Sequence, residues 1–142
     1  MQMSAKLGPA CLVLLLVLTM AAGCGKKPPP TYEADRGGVS GVVTIDGKHL
    51  EGGSITFISA KDKMYRVTCM LKRDGTFRAG DAPLGDVLVA VETESTKMGG
   101  SGGYVPIPAK YAAIATSGLK ATITKAGPDG QAQTLSFDLK RK

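Results

Sequence analysis

Gly41–Ser59 reads GVVTIDGKHLEGGSITFIS, and its spacing decides the fold class. Side chains of an extended strand alternate between two faces. Val43 and Ile45, with Val39 just upstream, fall on one face, while Ser40, Thr44 and Asp46 fall on the other. Ile55 and Phe57 then alternate with Ser54 and Thr56. Between the two runs sits Asp46-Gly47, a pair suited to tight turns that need positive φ. Two half-buried strands joined through a turn are the simplest reading.

The same period continues outward. Tyr65, Val67, Cys69 and Leu71 alternate with Arg66, Thr68, Met70 and Lys72. Phe77 and Ala79 flank Arg78, and Val87, Val89 and Val91 oppose Leu88, Ala90 and Glu92. Leu119, Ala121 and Ile123 oppose Lys120, Thr122 and Thr124; Leu135, Phe137 and Leu139 oppose Ser136, Asp138 and Lys140. Asp74-Gly75 and Asp129-Gly130 supply further turn pairs. No stretch sustains a helical period. Seven short strands, each with one apolar face, predict an all-β antiparallel sandwich. On this reading Cys69, in phase with Val67 and Leu71, is a buried core thiol.

The N-terminus has a different character. Lys6 precedes an apolar run from Ala10 to Gly23, the pattern of a secretory signal peptide. The run is too short for a membrane span, which takes about 20 apolar residues. Ala21-Ala22-Gly23-Cys24 resembles the lipobox of bacterial lipoproteins, in which an acylated cysteine becomes the first mature residue. Ala21 stands where leucine is usual. Gly25 follows the cysteine where an aspartate would favour inner-membrane retention, so an outer-membrane, periplasmic or surface-facing location is expected. Lys26 and Lys27 suit anionic headgroups. Pro28–Pro30 favour an extended spacer, and Gly25–Gly38 would reach up to roughly 40 Å at about 3.1 Å per residue. The expected organisation is a signal peptide at 1–23, a lipidated cysteine and proline-rich tether at 24–38, and one domain at 39–142.

Composition narrows the function classes. The formal charge is +6, and loss of Lys6 with the signal leaves +5, favouring anionic neighbours such as headgroups or acidic polysaccharide. Nucleic acid is a poor partner: the lysines are scattered, Trp is absent and aromatics make up only 5%. With Cys11 leaving and Cys24 acylated, Cys69 has no partner, which excludes an intramolecular disulfide framework and a cysteine-based metal site.

GVVTIDGKHLEGGSITFIS, followed by RDGTFRAGDAPLGDVLVAVE, resembles the carboxypeptidase regulatory-like, or transthyretin-like, domain. Asp46, Gly47, Lys48, Leu50 and Gly53 match its first turn, with His49 in place of the common proline. Asp74, Gly75 and Phe77 match the second element, and Pro83, Gly85, Val87 and Val89 the third. IPAKYAAIATSGLKATI (residues 107–123) is similar to a segment of planctomycete-type lipoproteins carrying this domain, although Ala113-Ile114 departs from its polar-proline pair. The resemblance implies a seven-stranded prealbumin-like (Ig-like) sandwich without catalytic machinery, and carries over no catalytic or ligand residue.

Candidate chemistry is sparse, and no enzyme, cofactor or metal site is expected. His49 is the only histidine and sits in a turn. No serine occupies a G-x-S-x-G elbow. Asp46, Asp74 and Asp129 lie in separate turns without calcium-loop spacing. Glu92 and Glu94 lack the positioned partners of a glycosidase pair. The glycine-rich stretch Gly99–Gly103 lacks the G-K-[ST] ending of a phosphate loop. It reads as a flexible linker whose shortening should matter little. Lys140-Arg141-Lys142 reads as a frayed, solvated tail.

Thr93–Gly118 is the one long connection, and long loops in compact domains are usually functional or disordered. Its Tyr104, Lys110 and Tyr111 are the candidate partner-binding residues, suited to stacking on sugars or to a protein partner. The competing and favoured reading folds Ile107, Pro108 and Tyr111 back over an open end of the sandwich, because apolar side chains gain by burial. The sequence therefore predicts a lipid-anchored, non-catalytic envelope lipoprotein presenting an interaction or scaffolding module. A carbohydrate-binding surface domain is the alternative, and membrane, envelope protein and polysaccharide are the partners considered.

Overall fold

The structure, a computed structural model, describes residues 36–99, 102–126 and 131–142. The signal peptide, Cys24, the tether as far as Asp35 and the Asp129-Gly130 turn lie outside the described residues.

Alternation in the sequence becomes strands where expected. These are β1 (Arg36–Ile45), β2 (Lys48–His49), β3 (Ser54–Ser59), β4 (Arg66–Met70), β5 (Thr76–Pro83), β6 (Gly85–Glu92), β7 (Leu119–Ile123) and β8 (Gln133–Leu139). The seven expected strands are present, with two-residue β2 added after the Asp46-Gly47 turn. Both turn residues have positive φ, 50° and 78°, as a tight hairpin turn demands. Arg36–Gly38, assigned from sequence to the tether, already belong to β1: Gly37 pairs with Ala82. Two adjacent glycines carry no alternation signal to mark that start.

The strands form two sheets. In one, β1 pairs with β2 and β5, and with β8 on its other side; in the second the order is β4-β3-β6-β7. The result is an all-β sandwich. All pairings are antiparallel except one: β1 and β8 run parallel from Val39↔Gln133 to Ile45↔Leu139. This corrects the purely antiparallel expectation. Each reversal after β5 flips the chain, so β8 returns in the direction of β1, and placing it beside β1 leaves only parallel pairing.

Three phenylalanines join the layers. Phe57 of one sheet lies 5.7 Å from Phe77 and 6.4 Å from Phe137 of the other, and the latter two are 6.3 Å apart. Tilted rings at these separations suit the aromatic quadrupole. Val39, Val43, Ile45, Ile55, Val87, Val89, Val91 and Leu139 close around them, all 2% exposed or less. Gly41 interrupts the inward apolar series of β1 because a Cβ there would sit 1.9 Å from the Leu135 carbonyl oxygen and 2.8 Å from Cζ of Phe77.

Cys69 faces the core from β4, but β4 pairs only with β3, so the thiol is half-buried rather than enclosed. Burial, with a smaller contribution from the Asp81 charge, pushes its pKa up to about 11.

Gly41→Ala should therefore destabilise by about 1–3 kcal/mol through overpacking, and Phe57→Ala by about 3–5 kcal/mol through the cavity it leaves. Gly47→Ala meets open space at φ 78° and should cost only about 1 kcal/mol of backbone strain. Urea unfolding of the three variants checks the order; a Gly41→Ala domain as stable as wild type would contradict this packing.

Candidate functional site

The long connection from Thr93 to Gly118 is built in pieces. Thr93 is buried; its hydroxyl donates to the Val105 carbonyl at 2.7 Å, tying the two ends of a shorter loop together. Its carbonyl accepts from the Thr96 amide and hydroxyl, starting a 3₁₀ helix over Glu94–Met98. Glu92 accepts from the Ser54 hydroxyl and from the Ser95 amide and hydroxyl. Partial burial raises the pKa of Glu92, but these hydrogen bonds outweigh it and the net shift is downward. Gly99 ends the turn at φ 98°.

The glycine cluster is partly fastened, against the expectation of a free linker. Gly102 forms an antiparallel bridge with Gly52, and the Gly103 amide donates to the Glu51 carbonyl at 3.1 Å. A Cβ on Gly102 would lie 1.9 Å from that same carbonyl oxygen. Only glycine permits this approach, so shortening the segment removes a tertiary contact as well as chain length. Gly100 and Ser101 lie outside the described residues.

Of the three candidate binding residues, the structure brings none into a shared open surface. Tyr104 is 40% exposed. Its hydroxyl donates to Glu94 at 3.0 Å, and the Lys97 ammonium sits 4.5 Å from its ring centroid. Lys97 in turn pairs with Glu94 at 2.6 Å. The Lys97 contact, then the Tyr104 hydrogen bond, holds the Glu94 carboxyl below its usual range. Lys110 is exposed, with its ammonium 4.9 Å from the Tyr111 ring centroid. Tyr111 itself is 6% exposed and part of the core, within a 3₁₀ helix over Ala109–Ala112. Its hydroxyl donates to the Lys140 carbonyl at 3.2 Å and accepts from the Lys140 amide at 3.0 Å. Tyr111 is therefore a cap and not a contact residue. Val105 and Ile107 pack, partly buried, against the same core, and the Ser117 hydroxyl ties the segment's end to the Val89 carbonyl.

The C-terminus also departs from expectation. Lys140 pairs with Asp138, whose other oxygen accepts from the Thr44 hydroxyl and the Gly47 amide. Arg141 reaches Asp46 through its guanidinium at 3.6 Å and its amide at 3.4 Å. Arg141 is thus fastened to the β1–β2 turn, and Lys140 to Asp138 and Tyr111, rather than frayed. Lys140 first, then Thr44 and Gly47, pull the Asp138 pKa down from its ordinary 3.8 to about 2.

His49 is exposed on β2, and Asp74 accepts from the amide and hydroxyl of Thr76 within its turn. No group of three or more potential metal ligands occurs among the described residues. An open cavity of about 440 Å³ lies elsewhere, on β6 and β7, lined by Leu88, Lys120, Ala60 and Asp86 among others. Sequence reasoning overlooked the β3–β4 connection, where Met64 is 91% exposed between Lys63 and Tyr65. An apolar residue inside a charged turn was the available signal.

The molecule is a β-sandwich module in which a long loop caps the core. No protein-family profile matches the sequence, and no curated protein matches it. Among solved structures it is similar to BcpA, the major pilin subunit of Bacillus cereus, with 12% identity and a TM-score of 0.43; the match covers 76% of this chain and 31% of the pilin. A DUF3823 family protein from Parabacteroides merdae shows 14% identity and a TM-score of 0.40, covering 75% of this chain and 45% of that protein. The chain spans less than half the length of either.

Two measurements probe this site. Tyr111→Ala should cost about 3–5 kcal/mol in urea unfolding. Tyr111→Phe, which keeps the packing but leaves the Lys140 amide and carbonyl unpaired, should cost about 1–2 kcal/mol. If both variants match wild type, the capping role is wrong. Asp138 has a depressed folded-state pKa, so its stabilisation is present above pH 3.8 and is lost as pH falls towards about 2. Asp138→Asn should flatten that part of the acid-unfolding curve. The effect should shrink in high salt, because the group is exposed and screened; an unchanged curve would exclude this linkage.

Proposed function

We propose that the chain is a lipid-anchored, non-catalytic cell-envelope lipoprotein that presents its sandwich as an interaction or scaffolding module. The observation that carries the reading is the join between the N-terminal sequence and the fold. Ala21-Ala22-Gly23-Cys24 closes an apolar run, and the proline-rich segment that follows leads into β1. That strand is paired on both sides, with β5 and with β8. Load arriving at Arg36 meets the β5 ladder first and, from Val39 onward, the β8 ladder as well. On this reading 1–23 is the signal, the lipidated Cys24 opens the tether, and the outer membrane is the favoured site. The resemblance to carboxypeptidase regulatory-like lipoproteins supports the same assignment.

The carbohydrate-binding alternative is less well supported. It needs open aromatic faces, yet Tyr111 is buried and Tyr104 already has a lysine over its ring. An envelope protein partner, or an acidic polysaccharide held by charge alone, fits better.

Cys24→Ala tests the anchor directly. Fatty-acid labelling should disappear, and the chain should remain unprocessed or leave the membrane fraction. A variant that labels and fractionates like wild type would overturn the lipoprotein assignment.

A further inference from the structure

The connection between β3 and β4 is ordered, charged and tipped by an exposed apolar residue. Met64 is 91% exposed, and Lys61 and Lys63 beside it are also exposed. The turn is held by its own hydrogen bonds. The Ser59 hydroxyl accepts from the Asp62 amide, and Asp62 accepts from the amides of Met64 and Tyr65, through its carboxylate and carbonyl respectively. The Ser59 amide donates to the Tyr65 carbonyl at 3.1 Å, and the Ala60 amide to the Asp86 carbonyl at 2.9 Å. Met64 is thus fixed outward, where it loses the burial that apolar side chains otherwise gain.

Its position gives the exposure a use. The Arg36 guanidinium stands 5.6 Å from the centroid of the Tyr65 ring, so the chain enters the sandwich directly beside this turn. Cys24 is only 12 residues ahead of that entry. The strands and turns at this end carry Arg36, Lys61, Lys63, Arg66 and Lys125 against Asp62, Asp81 and Asp86, an excess of positive charge. Asp62 is occupied within the turn and Asp86 accepts from Thr122. The ion pairs among the described residues, Lys97–Glu94, Lys140–Asp138 and Arg141–Asp46, lie at the far end. Among the described residues, exposed Lys61 and Lys63 form no ion pair with a carboxylate.

We infer that the Ala60–Tyr65 turn is a membrane-contact element: Lys61 and Lys63 engage anionic headgroups while Met64 enters the interface. The charge sign selects an anionic lipid surface. Each lysine near such a surface contributes a favourable electrostatic increment, and the apolar tip adds burial. The inference rests on the lipid-anchor reading for its local geometry: a lipidated Cys24 would keep this end within the tether's reach of roughly 40 Å of the bilayer, and contact by the turn would bring it the rest of the way. It makes a separate claim, that the sandwich touches the bilayer with a defined side.

Absence of tryptophan from the sequence allows single-probe tests. Met64→Trp and Met98→Trp variants of the full chain would be compared, because Met98 is 95% exposed at the opposite end. The two positions are separated by the length of β6, which starts beside Ala60 and ends before Thr93. Each protein would be reconstituted on phosphatidylcholine vesicles with and without phosphatidylglycerol, carrying brominated acyl chains. The residue-64 probe should shift to shorter wavelength and be quenched on the anionic vesicles, whereas the residue-98 probe should not. Adding Lys61→Glu and Lys63→Glu should weaken the residue-64 response by at least about tenfold. Equal quenching at both positions, or none at 64, would overturn the inference. Fatty-acid labelling of the same preparations separates the two claims. Labelled protein with an unquenched residue-64 probe refutes the docking turn alone; a quenched probe on unlabelled protein sustains the turn and refutes the anchor.

Discussion

Contact between Phe57 on one sheet and Phe77 and Phe137 on the other is the constraint from which the rest follows. These are all three phenylalanines in the chain, and no tryptophan supplements them. A core built mainly from valine, leucine and isoleucine needs these large side chains to span the space between two sheets about 10 Å apart. Their size then dictates what lies opposite. Gly41 must lack a side chain, since Phe77 and the Leu135 carbonyl occupy its place. Parallel pairing with β8 follows too, because Phe137 reaches the cluster only if β8 lies beside Val43.

A sandwich must also manage its edges, where unpaired backbone groups invite other chains. Here side chains do much of that closing. Gln133, at the start of β8, accepts from the Thr124 amide and donates to the Thr122 carbonyl, linking β8 to the edge of β7 in the opposite sheet. Tyr111 clamps the amide and carbonyl of Lys140 just beyond the other end of β8. On the opposite flank the Tyr65 hydroxyl donates to the Asp81 carbonyl, and the Lys72 amide to that of Thr76. The sheets are stitched at both sides by single residues.

The sequence revealed elements more readily than their connections, for a physical reason. Val87, Val89 and Val91 are spaced by the pleat itself, so local order announces a strand wherever one face is buried. Burial of Tyr111, by contrast, depends on a carbonyl at Lys140, and the conformation of Gly102 on a carbonyl at Glu51. Neither partner is visible from a local window. Tyr104 and Tyr111 look alike in sequence, yet one is a surface aromatic stacked with Lys97 and the other is core. Arg141 reads as a tail residue until β8 sets it against Asp46. These features share partners that arrive through the β1–β8 closure or the return of the long loop; the β3–β4 turn with exposed Met64 and the early start of β1 escaped for want of any periodic signal.

That pattern bears on where function can reside. At the far end of the sandwich, which sequence made the candidate site, several of the carboxylates are committed within the fold. Glu92 positions the turn that follows β6, Glu94 and Lys97 hold Tyr104, and Asp138 and Asp46 hold the C-terminus. Groups already satisfied within the fold must lose those bonds before contacting a partner, and the loss offsets the gain. The end where β1 begins differs: its turn is rigid, but Lys61, Lys63 and Met64 are directed outward. A rigid turn with unpaired outward groups forfeits little side-chain packing on contact and needs no backbone rearrangement. The two ends therefore differ in their carboxylates, which hold the loop and C-terminus at one end, and in the apolar tip that only the turn beside the chain's entry sets between two outward lysines.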